Sequence, residues 1–102
     1  MRVVLCTAPP DRAASLARSL IQDGLAACVN LLAVTSVYRW EGSVQEDAES
    51  LLVIKVPAEG VIPLREALLQ RHPYTLPEVV VLPVDTDSSH AAYVAWVRAM
   101  GG

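Results

Sequence analysis

Cys6 and His72 are the two side chains whose chemistry best suits a soft metal ion. A cysteine thiolate and a histidine imidazole both ligate copper and zinc, so the pair predicts a weakly bound Cu(II) or another divalent cation, and no other cofactor. The alternative is that Cys6 is an inert core thiol and that the helix dipole favours His72 at a helix end. The residue types alone leave both interpretations open.

A second group of residues combines aromatic rings with charged side chains. Such a combination suits a small-molecule pocket, but Tyr, Trp and Arg are also the usual anchors of protein interfaces. For Lys55 a third interpretation is a solvated residue at the end of a strand, without a binding role. We expect pocket or interface roles for Tyr38, Arg39, Trp40, Lys55, Tyr74, Glu78, Tyr93 and Trp96.

Motifs typical of enzymes are absent from the sequence. It contains no Cys-x-x-Cys pair, no glycine-rich phosphate loop and no Gly-x-Ser-x-Gly elbow. The net charge of −3 argues against nucleic-acid or anionic-membrane binding, which draws on clustered Lys and Arg. With two cysteines inside apolar runs and no secretory pattern, we expect a cytoplasmic binding protein that is not an enzyme.

The strands and helices that position these side chains follow a regular order along 102 residues, which fits a single domain over 1–102. Short apolar runs and turn residues predict strands at 3–7, 27–40, 44–56 and 78–84. Helical spacing predicts helices from the Pro9-Pro10-Asp11 segment to Gly24 and over 59–72. Ser88 or Ser89 is expected to cap a last helix, before a frayed Gly101-Gly102.

This order predicts an α+β fold, the ferredoxin-like βαββαβ arrangement with a long central hairpin and an extra C-terminal helix. The first strand and the second helix then run in the same direction. Cys6 and His72, each near the end of its element, should therefore lie at the same end of the domain.

The predicted strands are apolar on both faces, although two helices can cover only one face of the sheet. Runs such as 51–54 and 79–82 do not alternate as a half-exposed strand should. Another copy of the chain would cover the second face, and the alternative is a monomer sealed by its own last helix. We therefore expect self-association.

The ordered motifs of the chain resemble the CutA family of divalent-cation tolerance proteins. They span nearly the whole chain and comprise Val4-Leu5-Cys6-Thr7-Ala8-Pro9, Ala26-Ala27-Cys28-Val29-Asn30, Ser36-Val37-Tyr38-Arg39-Trp40-Glu41-Gly42, Ile54-Lys55, His72-Pro73-Tyr74, Pro77-Glu78 and Tyr93-x-x-Trp96.

This resemblance implies a cytoplasmic homotrimer similar in architecture to PII signalling proteins and linked to copper tolerance. It also implies metal ligands at the first-strand cysteine and at two consecutive histidines, of which this chain keeps His72 and replaces the first with Arg71. Three hypotheses follow: a copper-binding protein using Cys6 and His72, a PII-like sensor of a small molecule at subunit interfaces, and a structural trimer that anchors an unidentified protein partner.

Overall fold

The structure is a computed structural model that describes residues 1–101. Its strands are β1 (Arg2–Ala8), β2 (Cys28–Trp40), β3 (Ser43–Val56) and β4 (Val80–Pro83). Its helices are α1 (Pro10–Gln22), α2 (Val61–Arg71) and α3 (Ala91–Arg98), with a 3₁₀ turn (Ala58–Gly60) before α2. The strands form one sheet in the order β2-β3-β1-β4, and each neighbouring pair is antiparallel. The predicted α+β, ferredoxin-like arrangement is confirmed.

The β2–β3 hairpin extends well beyond the rest of the sheet. The two strands pair from Cys28–Lys55 to Trp40–Ser43, whereas β1 accompanies β3 only as far as the Ala8–Ser50 pair. Glu41 and Gly42 form the tip, with φ angles of 50° and 81°. Two central residues with positive φ match the right-handed twist of paired strands, which makes this a tight two-residue hairpin turn.

Two predicted details are wrong. Strand β4 covers only four residues because only Val80 to Pro83 pair with β1. Neither Ser88 nor Ser89 caps the last helix. The Asp85 carboxylate accepts the Ser88 amide, and the Asp85 backbone carbonyl accepts the Ser89 hydroxyl. His90 occupies the N-cap position of α3 without a side-chain hydrogen bond.

The fraying expected at Gly101-Gly102 is not found at Gly101. The amide of Gly101 donates to the carbonyl of Trp96, and Met100 and Gly101 both adopt positive φ, which is a usual way to end a helix. Gly102 lies outside the described residues.

The main core lies between the sheet and helices α1 and α2. Its centre consists of alternate residues of β1 and β3, such as Val4, Cys6, Leu52 and Ile54, packed against leucines of both helices. A smaller core under α3 contains Met1, Ala27, Val94 and Val97.

The opposite face of the sheet is apolar and partly bare. By register, Leu32, Val80 and Leu82 belong to this face, and all three are exposed. Because α3 covers only one end of it, the surplus of apolar surface expected from the sequence is present in the folded chain. No helix among residues 1–101 is both long enough and apolar enough to cross a membrane.

Candidate functional site: an aromatic and acidic cleft

His72 lies against the end of β1, at the end of the domain predicted from strand and helix directions. The helix α2 ends at Arg71, and His72 is extended because Pro73 follows it. The His72 Nε2 lies 2.7 Å from the carbonyl oxygen of Thr7, and its Nδ1 accepts the amide of Tyr74 at 3.1 Å. Since a carbonyl can only accept, Nε2 carries the proton, and both ring nitrogens are used within the chain.

Cys6 is completely buried beside this histidine on β1. Its thiol contacts the same Thr7 carbonyl at 3.7 Å. Burial, followed by the negative charges of Glu78 and Glu49, raises the pKa of the Cys6 thiol to about 12. Because the thiolate is the metal ligand and the nucleophile, a neutral Cys6 suits neither role well. The fold therefore brings Cys6 and His72 to the same carbonyl, but with their binding atoms engaged.

Arg71 points away from this pair. Its guanidinium forms an ion pair with Asp23 at 2.8 Å and donates to the Ser19 hydroxyl at 3.0 Å, both on the α1 side. Residue 71 and His72 thus serve different surfaces of the molecule. Within residues 1–101, no cluster of three or more His, Cys, Asp or Glu side chains is placed to hold a metal ion.

A large open cleft lies at the same end of the domain, between the projecting hairpin and the segment after α2. Its volume is about 790 Å³. We call it the aromatic–acidic cleft; it is lined by Thr7, Ser36, Val37, Tyr38, Arg39, Trp40, Asp47, Glu49, Pro73, Tyr74, Thr75, Leu76 and Glu78. The cleft collects five of the residues predicted for a pocket or an interface: Tyr38, Arg39, Trp40, Tyr74 and Glu78.

Glu49 and Asp47 on β3 organise the polar part of the cleft. Glu49 is only 8% exposed, and it accepts a hydrogen bond from the Tyr74 hydroxyl at 2.8 Å. The Tyr38 hydroxyl donates to Asp47 at 2.5 Å. Burial and the bond to Glu49 raise the pKa of Tyr74 above its usual range, and the bond to Asp47 raises the pKa of Tyr38. Both tyrosines therefore remain neutral donors.

The charge of the cleft is negative, since three carboxylates face one guanidinium, that of Arg39. Sequence reasoning missed two of these carboxylates, Asp47 and Glu49. Their signal was present in the polar start of β3, where they alternate and so point to the same side as Tyr38 on the paired strand.

Comparison with known proteins agrees with this architecture. The family model described as "CutA1 divalent ion tolerance protein" matches residues 2–100. The chain belongs to the CutA1 family. The divalent-cation tolerance protein CutA of Thermus thermophilus is 41% identical over 102 residues, covering 98% of this chain and 97% of that protein. Protein CutA of Homo sapiens is 39% identical over 94 residues, covering 90% of this chain and 51% of that longer protein.

Solved structures of CutA proteins superpose on the whole chain. The PII-like protein CutA from Nostoc sp. PCC 7120, in apo form, has a TM-score of 0.96 and 37% identity, with 100% of this chain and 98% of that chain covered. The Thermus thermophilus protein has a TM-score of 0.90 and 41% identity, with both chains covered completely.

The remaining predicted residues of this CutA1 chain lie at the opposite end of the domain. Lys55 donates a hydrogen bond to Asn30, and its ammonium is 4.0 Å from the sulfur of Cys28. The rings of Tyr93 and Trp96 stack on α3 at a centroid distance of 5.6 Å. The predicted pocket-or-interface set is therefore two separate groups, and only the group at the Cys6 end forms a cleft.

Proposed function

We propose that this CutA1-family protein is a cytoplasmic, non-enzymatic homotrimer that senses a small ligand in the aromatic–acidic cleft, in the manner of a PII-like protein. The observation that carries the proposal is the cleft itself, a space of about 790 Å³ with aromatic walls and a few fixed polar groups. Ligand pockets usually combine these two features. The high pKa of the one cysteine beside the cleft, Cys6, argues against a nucleophilic enzyme.

Self-association is part of this proposal because a second copy would complete the cleft. Thr7 lies at the rim of the cleft and, by register with Leu32 through Leu51, on the bare apolar face. A second copy packed on that face would cover the open side of the cleft. The free state of both cysteines fits a reducing compartment.

The second candidate function is weak binding of copper or another divalent cation. The description of the family favours it, and the negative charge of the cleft offers a destination for the ion. Binding at Cys6 and His72 would require His72 to give up a hydrogen bond and Cys6 to lose a proton held by a high pKa. The cleft instead offers the carboxylates Asp47, Glu49 and Glu78, of which the first two each accept a tyrosine hydroxyl.

The test is a thermal-shift screen of the purified protein with cationic, zwitterionic and anionic metabolites. A ligand that binds only the folded state raises the melting temperature. We expect the rise to disappear in Glu49→Gln, which alters the cleft, and to persist in Glu46→Gln, an exposed neighbour on β3 outside the cleft lining. A rise that survives Glu49→Gln, or no rise with any compound, would remove the cleft as the ligand site.

The metal candidate is tested separately by titrating Cu(II) against a competing chelator, with Zn(II) as a control because copper oxidises thiols. Wild type, His72→Ala and Glu49→Gln are compared. Weaker binding in Glu49→Gln alone would assign the ion to the cleft, and weaker binding in His72→Ala alone would assign it to Cys6 and His72. No binding that withstands the chelator would exclude copper as a physiological ligand.

A further inference from the structure

A second, smaller groove lies between α1 and α2, on the helix side of the sheet. We name it the α1–α2 groove; its volume is about 180 Å³, and it is lined by Arg12, Ser15, Leu16, Ser19, Arg71 and Pro73. We propose that this groove binds a small oxyanion, such as a phosphate or carboxylate group, between the guanidinium groups of Arg12 and Arg71. The site is separate from the aromatic–acidic cleft, and Pro73 is the one lining residue that the two share.

The fold brings the two arginines together from distant parts of the sequence. Arg12 is in the first turn of α1, and Arg71 is the last residue of α2. β1 leads into α1 at the end of the domain where α2 terminates, and from there the Arg71 side chain reaches Ser19 and Asp23 near the end of α1. Two positive side chains thus line one groove of a chain whose net charge is −3.

Arg71 is held in place before any ligand arrives. Its Nη2 pairs with Asp23 at 2.8 Å, its Nη1 donates to Ser19 at 3.0 Å, and its side chain is only 31% exposed. A guanidinium has five N–H donors, so these contacts leave others free to face the groove. An oriented arginine loses little side-chain entropy when it binds an oxyanion, which favours binding.

Arg12 supplies the charge that is not neutralised. Within residues 1–101 its guanidinium enters neither of the two ion pairs, whereas that of Arg71 is paired with Asp23. Arg12 also lies at the positive end of the α1 dipole, where a cation is disfavoured. A bound anion would relieve both the repulsion from the dipole and the unpaired charge.

The two serine hydroxyls of the groove already donate within α1, so the arginines are the groups that would bind the oxyanion. The Ser15 hydroxyl donates to the Arg12 carbonyl at 3.0 Å, and the Ser19 hydroxyl donates to the Leu16 carbonyl at 2.8 Å. Their protons are therefore committed to the helix backbone. No carboxylate lines the groove, so its free donors are guanidinium N–H groups, which match the geometry of phosphate and carboxylate oxygens.

The groove stays open in an assembly formed through the sheet. It lies on the helix layer, while the bare apolar face is on the other side of the sheet. An anion could therefore reach it in the oligomer.

The test is a titration of the ¹⁵N-labelled protein with inorganic phosphate, followed by NMR at constant ionic strength. Acetate and sodium chloride are titrated in parallel. We expect saturable shifts of amide signals in α1 and at residues 71 and 72 with phosphate or acetate. Affinity should fall roughly tenfold in Arg12→Gln, because one charge-assisted contact is lost.

Arg18→Gln is the matched control, since Arg18 is an exposed arginine of the same helix outside the groove. Its affinity should equal that of wild type. Arg71→Gln serves as a second variant, and its unfolding midpoint shows whether loss of the Asp23 ion pair disturbs the fold. An equal loss in Arg18→Gln, no loss in Arg12→Gln, or shifts no larger than those caused by chloride would overturn the proposal.

Discussion

At the scale of single residues, the location of a side chain was easier to predict than whether its ligating atoms are free to bind. The directions of β1 and α2 correctly placed Cys6 and His72 at one end of the domain. Whether their binding atoms are free depends on the Thr7 carbonyl and the Tyr74 amide. Neither partner has a distinctive side-chain signal, because each acts through its backbone. The sequence could therefore indicate a candidate pair but not its hydrogen bonds.

The buried Cys6 thiol makes stability depend on pH. Its pKa is raised from an ordinary value near 9 to about 12 in the folded chain, so between these values the unfolded chain loses the proton first. Folding is then penalised as pH rises, by at most about 1.4 kcal/mol per pH unit from this thiol. We expect the urea midpoint to fall between pH 9 and 11, and to fall less steeply in Cys6→Ala.

In Cys6→Ala the urea midpoint should still fall with pH, because the pKa values of tyrosines are raised as well. Identical slopes in wild type and Cys6→Ala would mean that the thiol is not protected from ionisation.

The hydrogen bond between Tyr74 and Glu49 should stabilise the wall of the cleft. Tyr74→Phe would remove the donor from a carboxylate that is almost fully buried, at a cost of about 1 kcal/mol in the free energy of unfolding. Tyr38→Phe is the control, because its partner Asp47 is exposed and water can replace the hydroxyl. Urea denaturation at one protein concentration should show a larger loss of unfolding free energy in Tyr74→Phe than in Tyr38→Phe. An equal loss in both variants would contradict this prediction.

At the scale of elements, boundaries were predictable where a local residue enforces them. Pro73 ended α2, and Glu41-Gly42 formed the hairpin turn, since both depend on backbone conformation alone. The start of α3 was missed because the Ser89 hydroxyl donates to the Asp85 carbonyl and His90 takes the N-cap position. The carboxylates Asp47 and Glu49 were missed because they lie in a polar stretch typical of an exposed strand, and only the folded hairpin brings them to Tyr38 and Tyr74.

Gly42 is the residue on which the hairpin turn depends most. Its φ is 81°, and a Cβ there would meet no atom within 4 Å, so the cost of Gly42→Ala is conformational rather than steric. We expect a loss of about 1 kcal/mol. Glu41→Asn should increase the free energy of unfolding, because Asn tolerates the positive φ of 50° better than Glu. Equilibrium unfolding of both variants tests the pair, and a stabilising Gly42→Ala would show that the turn has another conformation.

At the scale of the whole molecule, the main unsolved surface is the bare apolar face of the sheet. It was predictable because the strands are apolar on both faces. Two helices cover one face, and α3 is too short to cover the other. Which surface of another molecule covers this face depends on assembly, and the pattern of one sequence does not specify it.

Assembly is tested by sedimentation equilibrium, where we expect three times the 11.0 kDa of one chain. Leu32→Arg should shift the mass toward one chain, because Leu32 lies on the bare face. Leu69→Arg is the matched control: Leu69 is 49% exposed against 48% for Leu32, but it belongs to α2 on the helix side. Wild type at 11.0 kDa would exclude self-association, and dissociation by Leu69→Arg alone would place the interface on the helices.

The sheet order β2-β3-β1-β4 leaves two unlike outer strands, the long β2 and the short β4. Copies that meet through unlike edges form head-to-tail contacts, and such contacts either close by rotational symmetry or continue as a filament. The angle between copies, rather than the strength of their contact, then decides between a finite particle and a polymer. If copies of this chain meet at these edges, a substitution that tilts β4 without loosening it would favour fibres over a closed particle.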